Sequence, residues 1–215
     1  MLQNNNSALQ ITDFLLQIKA IKLQPNQPFT WASGIKSPIY CDNRKILSYP
    51  KIRTYIRQEI TKILSDNFGK PDVIAGVATG GIALGVLVAQ ELGVPFVYVR
   101  PASKSHGLEN KIEGVIEEGQ SVLVIEDLVS TGASSLNAVE TIRNAGCTVK
   151  GMVAIFTYDL EEAKENFKVA KCQLVTLTNY DVLIQKAADI SYISIGDIKS
   201  LKEWRKDPKS WEPSN

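Results

Sequence analysis

Apolar positions follow two regimes along this chain. Over the first 70 residues they recur at helical spacing. Leu9, Phe14, Leu15, Ile18 and Ile21 form a stripe behind a capping Ser7, and Pro25 and Pro28 close that helix. Phe29 to Tyr40 reads as two short extended pieces about a Ser33-Gly34 turn. Ser48 and Pro50 open a second helix with Ile52, Tyr55, Ile56, Ile60, Ile63 and Leu64 on one side, ending near Gly69 and Pro71. Beyond that point the period changes. Runs that are apolar on every side, at Val73–Ala75, Phe96–Val99, Val122–Ile125 and Val149–Phe156, alternate with helical segments at Ile82–Leu92, Ser134–Ala145 and Leu160–Phe167. Leu174–Leu177 is a further strand and Ile195–Lys206 a C-terminal helix. Strands apolar on both faces and separated by helices predict a mainly parallel sheet covered on both sides. The expected layout is one domain over 1–215. Its α/β core begins near residue 70, and N-terminal helix and hood elements occupy about 1–69.

Composition changes this picture little. With 44% hydrophobic and 22% charged residues the chain is an ordinary globular one, and it shows no internal repeat or low-complexity stretch. The 24 Lys plus Arg against 23 Asp plus Glu leave a net charge of +1, without the basic stripe that nucleic acid requires. The cysteines, Cys41, Cys147 and Cys172, are odd in number and widely spaced, which supplies neither a disulfide framework nor a zinc spacing. The Met-Leu-Gln-Asn-Asn-Asn start lacks the basic and apolar regions of a secretory signal. Val73 to Ala89 is nearly all apolar, but it is shorter than a ~20-residue membrane span and broken by Gly76, Gly80, Gly81 and Gly85. No membrane contact and a cytoplasmic location are expected.

The chemistry concentrates in Val122-Leu-Val-Ile-Glu-Asp-Leu-Val-Ser-Thr-Gly-Ala-Ser134. An apolar strand ends in two carboxylates, and a short turn rich in hydroxyls leads into a helix. Ligands of open α/β sheets collect beyond the carboxyl ends of the strands, and a helix start favours phosphate. Ser130, Thr131 and Ser134 add hydroxyl donors, and Gly132 lets an anion approach the backbone. Glu126 and Asp127 are placed to accept from vicinal sugar hydroxyls, and carboxylates beside a phosphate suit magnesium. Neither G-x-x-x-x-G-K-[ST] nor G-x-G-x-x-G after a strand occurs. Residues 101–114 form a long polar stretch without periodicity, which is usually functional in a compact domain.

The 122–134 run resembles the phosphoribosyl-diphosphate signature of the type I phosphoribosyltransferases. That resemblance implies their fold, with Glu126 and Asp127 facing the ribose hydroxyls. It also implies a phosphoribosyl-diphosphate site over Glu126, Asp127, Leu128, Val129, Ser130, Thr131, Gly132, Ala133 and Ser134, of which Ser130 to Ser134 cradle the 5′-phosphate. Gly76-Val-Ala-Thr-Gly-Gly81, including Thr79 and Gly80, is by resemblance the pyrophosphate loop. Many relatives have a lysine at the position of Gly80, so here the backbone must serve. Tyr98-Val-Arg-Pro-Ala-Ser-Lys-Ser-His-Gly107 is similar to the mobile catalytic loop of orotate phosphoribosyltransferases, which implies Arg100, Lys104 and His106 as pyrophosphate ligands. Some relatives carry a further lysine where Pro101 stands.

Phe29 to Arg44 resembles the N-terminal hood of the same enzymes and offers Tyr40, Lys36 and Arg44 to the base, with Ser130 also reaching orotate. The implied activity is transfer of phosphoribose from phosphoribosyl diphosphate to orotate. Lys104, His106 and Asp127 would be the catalytic groups, and magnesium would be held by substrate and water rather than by protein ligands. Where some relatives meet the orotate carboxylate with a lysine and an arginine, this chain has Ala32 and Leu160, so Arg44, or alternatively Lys36, is expected to meet it. A purine phosphoribosyltransferase is the nearer rival, and the hood motif argues against it. A DNA-binding sensor of phosphoribosyl diphosphate would need a basic helix-turn-helix that the sequence lacks. By resemblance the enzyme is a homodimer with active sites shared between subunits, and no fused decarboxylase domain is expected.

Overall fold

The computed structural model describes residues 5–30, 34–101 and 111–213. Helix α1 (Asn5–Gln17) is followed by β1 (Ile21–Leu23), β2 (Phe29–Thr30), β3 (Lys36–Ser37), β4 (Ile39–Cys41), a 3₁₀ turn over Asn43–Ser48 and α2 (Pro50–Asn67). The core then runs β5 (Val73–Val77), α3 (Gly80–Leu92), β6 (Phe96–Val99), β7 (Ile112–Glu113), β8 (Ser121–Val129), α4 (Ala133–Asn144), β9 (Thr148–Thr157), α5 (Glu161–Val169), β10 (Leu174–Asn179), α6 (Tyr180–Asp189) and α7 (Asp197–Lys206).

Six strands form one sheet in the order β10-β9-β8-β5-β6-β7, parallel except for the antiparallel edge strand β7. Side chains alternate across it. Leu123 and Ile125 of β8 join the apolar layer under α1, α2 and α3, while Val122 and Val124 join the layer under α4 and α5. Both faces are therefore covered, and this is why the strands read as unbroken apolar runs. The chain leaves β5 toward β6 on one side, whereas β8 and β9 lie on the other. That reversal puts a topological switch point between β5 and β8.

Several elements depart from the sequence reading. Ser7 does not cap α1. It lies inside the helix, and its hydroxyl donates to Glu59 of α2. Ile21 leaves the helical stripe and pairs with Cys41 in the β1–β4 ladder, because α1 has already stopped at Gln17. Ser48 ends the 3₁₀ turn, and α2 starts at Pro50 without a side-chain cap. The turn expected after Ile125 comes later. Strand β8 continues to Val129 because Glu126, Leu128 and Val129 still pair with Ala154, Phe156 and Thr157 of β9. Helix α6 was not anticipated, although Asn179 caps it through Oδ1, accepting from the Val182 N–H at 3.1 Å. The apolar Val73–Ala89 segment resolves into β5, a turn and most of α3. Among the described residues no helix is long and apolar enough to cross a membrane.

Helix α7 is anchored by its buried face. Leu201 and Trp204 are both 0% exposed, and the Leu201 carbonyl accepts from the Tyr180 hydroxyl at 3.1 Å. The Trp204 ring packs edge-on against Tyr158 at 5.6 Å and tilted against Tyr180 at 5.4 Å. Removing so large a side chain leaves a cavity that backbone helices fill poorly. Trp204→Ala should therefore lower the unfolding free energy by about 3–5 kcal/mol in denaturant titration. A loss below about 1 kcal/mol would show that α7 is not fixed by this residue.

Candidate functional site

The site forms where the chain leaves β5 and β8 beside the switch point. After β5, residues 78–79 turn directly into α3, and after β8, residues 130–132 turn into α4. Neither helix has a side-chain cap on its first N–H groups. Two helix starts on adjacent parallel strands thus leave backbone donors and partial positive charge at one edge of the sheet. Gly132 makes the second turn with φ +82, and a side chain there would strike the Phe167 ring. Asn166 fixes the same turn by donating to the Thr131 carbonyl at 3.0 Å. Ala133 and Ser134 are exposed beyond it.

The start of α3 packs directly on the end of strand β8. A Cβ on Gly80 would lie 2.2 Å from the Asp127 carboxyl carbon, and one on Gly81 would lie 2.3 Å from the Ile125 carbonyl oxygen. Asp127 therefore spreads its carboxylate over bare backbone at the start of α3. The Ala78–Thr79 peptide bond in this turn is cis.

The acidic pair divides between the two faces of the sheet. Glu126 is only 4% exposed; its Oε1 accepts from the Asp127 N–H and its Oε2 from the Ser135 hydroxyl, each at 2.9 Å. Burial pushes its carboxyl well above the usual range, and the neighbouring Asp127 charge adds to that. Asp127 points the other way, toward α3 and the hood, and is partly exposed. Buried Asn43 ties the hood to it, donating from Nδ2 to the Asp127 carbonyl at 2.7 Å. The Cys41 thiol donates to Asn43 Oδ1 at 3.3 Å. Burial, then the charges of Asp127 and Asp42, push that thiol up. Tyr158 is likewise pushed up, mainly by burial and next by Cys41. Asn43, Cys41, Tyr158 and Ser135 were not singled out in the sequence. Asn43 and Cys41 lay in full view within the hood motif, whereas Ser135 and Tyr158 carry no signal in periodicity or spacing.

The remaining expected residues are distributed as follows. Arg100 borders a cavity with Ala78, Ala133 and Ser134, and its Nη1 pairs with Glu113 at 3.1 Å. Its N–H donates to the Lys111 carbonyl at 2.9 Å, closing the base of the β6–β7 connection. Lys104 and His106 lie outside the described residues, as do Ala32 and Ser33. Thr79 is exposed at the start of α3. Ser130 and Thr131 border a second cavity with Ile35 and Leu160. Leu128 and Val129 are the last residues of β8. Tyr40 is exposed and packs against Phe29 at 5.6 Å. Lys36 donates to the Thr30 hydroxyl at 2.9 Å. Arg44, with its side chain 58% exposed, holds Asp42 through Nε at 2.7 Å. That hydrogen bond also raises its already high pKa.

Donors at two neighbouring helix starts, with a carboxylate over the first of them, describe an α/β protein that takes a phosphorylated ligand at its switch point. The phosphoribosyl transferase domain family matches residues 43–185. The chain is 60% identical to the orotate phosphoribosyltransferase of Phocaeicola vulgatus, over 92% of this chain and 93% of that one. It is 57% identical to the orotate phosphoribosyltransferase of Porphyromonas gingivalis, over 94% of this chain and 96% of the other. The crystal structure of orotate phosphoribosyltransferase from Aeropyrum pernix superposes with a TM-score of 0.74 at 25% identity, covering 86% of this chain and 99% of its own. The chain belongs to the phosphoribosyltransferase family and, within it, to the orotate phosphoribosyltransferases.

The raised Glu126 carboxyl has a consequence for stability. Its folded pKa exceeds its unfolded one, so the folded protein binds that proton more tightly. The stability this confers is complete below the ordinary carboxylate range and is lost as pH rises through the raised value. Glu126→Gln removes the titration. The stability of the variant relative to the parent should therefore climb as pH rises from the ordinary carboxylate range through the raised value in paired denaturant titrations. A flat or falling difference would mean that the buried carboxyl is not raised.

Proposed function

We infer that this protein transfers phosphoribose from phosphoribosyl diphosphate to orotate, giving orotidine 5′-monophosphate and pyrophosphate in pyrimidine synthesis in the cytoplasm. The observation that carries the reading is the pair of uncapped helix starts beside the switch point, with the Asp127 carboxylate lying over the first of them. In this arrangement the start of α4, with Ser130, Thr131 and Ser134, holds the 5′-phosphate. The turn at Thr79 and Gly80 takes pyrophosphate through its backbone. Orotate enters under the hood, between Tyr40 and Ser130.

Among the described residues no cluster of His, Cys, Asp and Glu could hold a metal by itself. The donor set nevertheless fits a magnesium ion carried in on diphosphate and ribose oxygens. Among the described residues Asp127 feels the charge of Arg44 but makes no close ion pair, and Glu126 is already bonded to Ser135. Magnesium prefers oxygen ligands and keeps several waters, and when bound it would neutralise charge on the diphosphate.

Catalysis here is positioning and electrostatics, with no covalent intermediate on the protein. The fixed negative charge of Asp127 meets the positive charge that develops on the ribose ring as the bond to pyrophosphate breaks. Arg100, Lys104 and His106 meet the departing diphosphate. The hood holds the attacking orotate nitrogen near the anomeric carbon, which lowers the entropic part of the barrier.

Incubation with phosphoribosyl diphosphate, magnesium and a panel of pyrimidine and purine bases tests the substrate. Pyrophosphate should appear with orotate, and release with adenine or xanthine instead would overturn the reading. Asp127→Asn should lower turnover at least about tenfold with an unchanged melting profile.

We further infer a homodimer in which Lys104 and His106 of one subunit serve the ribose site of the other. Lys104→Ala and Asp127→Asn then damage different halves of each composite site. A mixed dimer has one site broken twice and one intact. Co-refolding equal amounts should restore about a quarter of wild-type turnover, since half the dimers are mixed and each has one good site of two. No gain over the separate variants, with subunit exchange verified, would place the loop in its own subunit's site.

A further inference from the structure

The family match ends at residue 185, yet the chain beyond it returns to the site. The last turn of α7 and the bend after it, which Asp207 stabilises by accepting from the Lys209 and Ser210 N–H groups, form one wall of a cavity. The opposite walls are Ser130 and Thr131 of the β8–α4 turn, Ile35 of the β2–β3 hairpin, and Leu160, Glu161 and Glu162 where α5 begins. The first two of these segments belong to the ribose-phosphate cradle and to the hood. A base lying between them therefore has the end of α7 as its outer neighbour.

Orotate carries a carboxylate, and removing that charge from water without a cationic partner is costly. Two cations of the hood are poorly placed to supply one. Arg44 is more than half exposed and already bound to Asp42, and Lys36 is exposed on the hairpin and bound to Thr30. Held loosely in water, such charges contribute little net attraction.

Arg205 is also paired, but it is far less exposed. It follows the fully buried Trp204, so its backbone is fixed, and its side chain is only 23% exposed. Its Nη1 donates to Asp181 Oδ2 at 2.6 Å and lies 3.9 Å from Asp159 Oδ2. The guanidinium carbon stands 5.9 Å from the centre of the Tyr180 ring. All these polar contacts use one nitrogen. Among the described residues Nε and Nη2 have no hydrogen-bond partner, and the planar fork of arginine suits a carboxylate approaching there. The two aspartates hold the guanidinium in place, so little freedom remains to be lost when a ligand binds.

We propose that Arg205 binds the carboxylate of the incoming pyrimidine, which makes the C-terminal helix part of the specificity apparatus. This rests on the reading of the chain as an orotate phosphoribosyltransferase, and it transfers to Arg205 the role that the sequence assigned to Arg44.

The test is steady-state kinetics of the full chain with Arg205→Ala, Arg205→Lys and Arg44→Ala, varying orotate and phosphoribosyl diphosphate separately. Arg205→Ala should raise the KM for orotate at least about tenfold and leave that for phosphoribosyl diphosphate within about twofold. Arg205→Lys keeps the charge without the fork and should fall between. Inhibition by uracil, which has no carboxylate, should not change, whereas a general loosening of α7 would weaken it. If Arg205→Ala does not fold, the same KM split in Arg205→Lys decides the matter. An orotate effect that follows Arg44 and spares Arg205 overturns the assignment, as does equal loss for orotate, phosphoribosyl diphosphate and uracil. Failure of the parent protein to form orotidine monophosphate sinks the substrate reading instead, whatever the variants do.

Discussion

Everything at this site depends on how closely the start of α3 approaches strand β8. With Gly81 against the Ile125 carbonyl and Gly80 beneath the Asp127 carboxylate, the helix start after one strand is seated directly on the end of its neighbour. Any side chain at either position would push them apart. Backbone amides of both helix starts can then face a single ligand bearing phosphate groups at two ends. The approach also explains how the site manages without the lysine that many relatives place at Gly80. That position is occupied by the carboxylate, so a lysine here would require Asp127 to move.

A second connection fixes the hood to the same strand. Asn43 is buried and donates to the Asp127 backbone carbonyl, so the hood is registered on the residue that lies over the start of α3. The hood elements make little sheet of their own. Strands β2 and β3 contribute two residues each, and β1 and β4 three. Such short ladders are marginal alone. Their placement comes instead from the shared apolar layer in which Ile21, Leu23, Ile39 and Ile46 join the core helices. Packing, rather than hydrogen bonding, carries the hood.

The parallel core was legible because its strands are buried on both faces, and that burial writes continuous apolar runs into the sequence. The same criterion cut β8 short. Glu126 and Asp127 end the apolar run, but strand pairing depends on the backbone and continues to Val129. Ile21 was misplaced because a helical stripe and a following buried strand look alike when the intervening turn has no Gly or Pro. Helix α6 carries its own signal in the Asn179 cap and in the helical spacing of Leu183, Ile184 and Ala187. The 122–134 motif was found because its chemistry is contiguous. Arg205 could not be found in this way. It lies 75 positions from Ser130 (205 minus 130), and only the docking of Trp204 brings the two to one cavity.

The division of labour between adjacent carboxylates follows from strand geometry. Side chains on a strand alternate between faces, so Glu126 and Asp127 cannot share an environment. Val122 and Val124 face α4, and Glu126 continues that row into a nearly dry position beside Ser135. Leu123 and Ile125 face the α3 side, and Asp127 continues that row out of the core to the rim. Burial favours the proton on the first. The Asp127 charge strengthens this preference, because two neighbouring carboxylates ionise together at a cost. One short acidic sequence thus provides a fixed negative charge at the rim and a reserve carboxyl behind it. Glu126 can turn its charge toward the site only if a ligand supplies the positive charge to offset its burial.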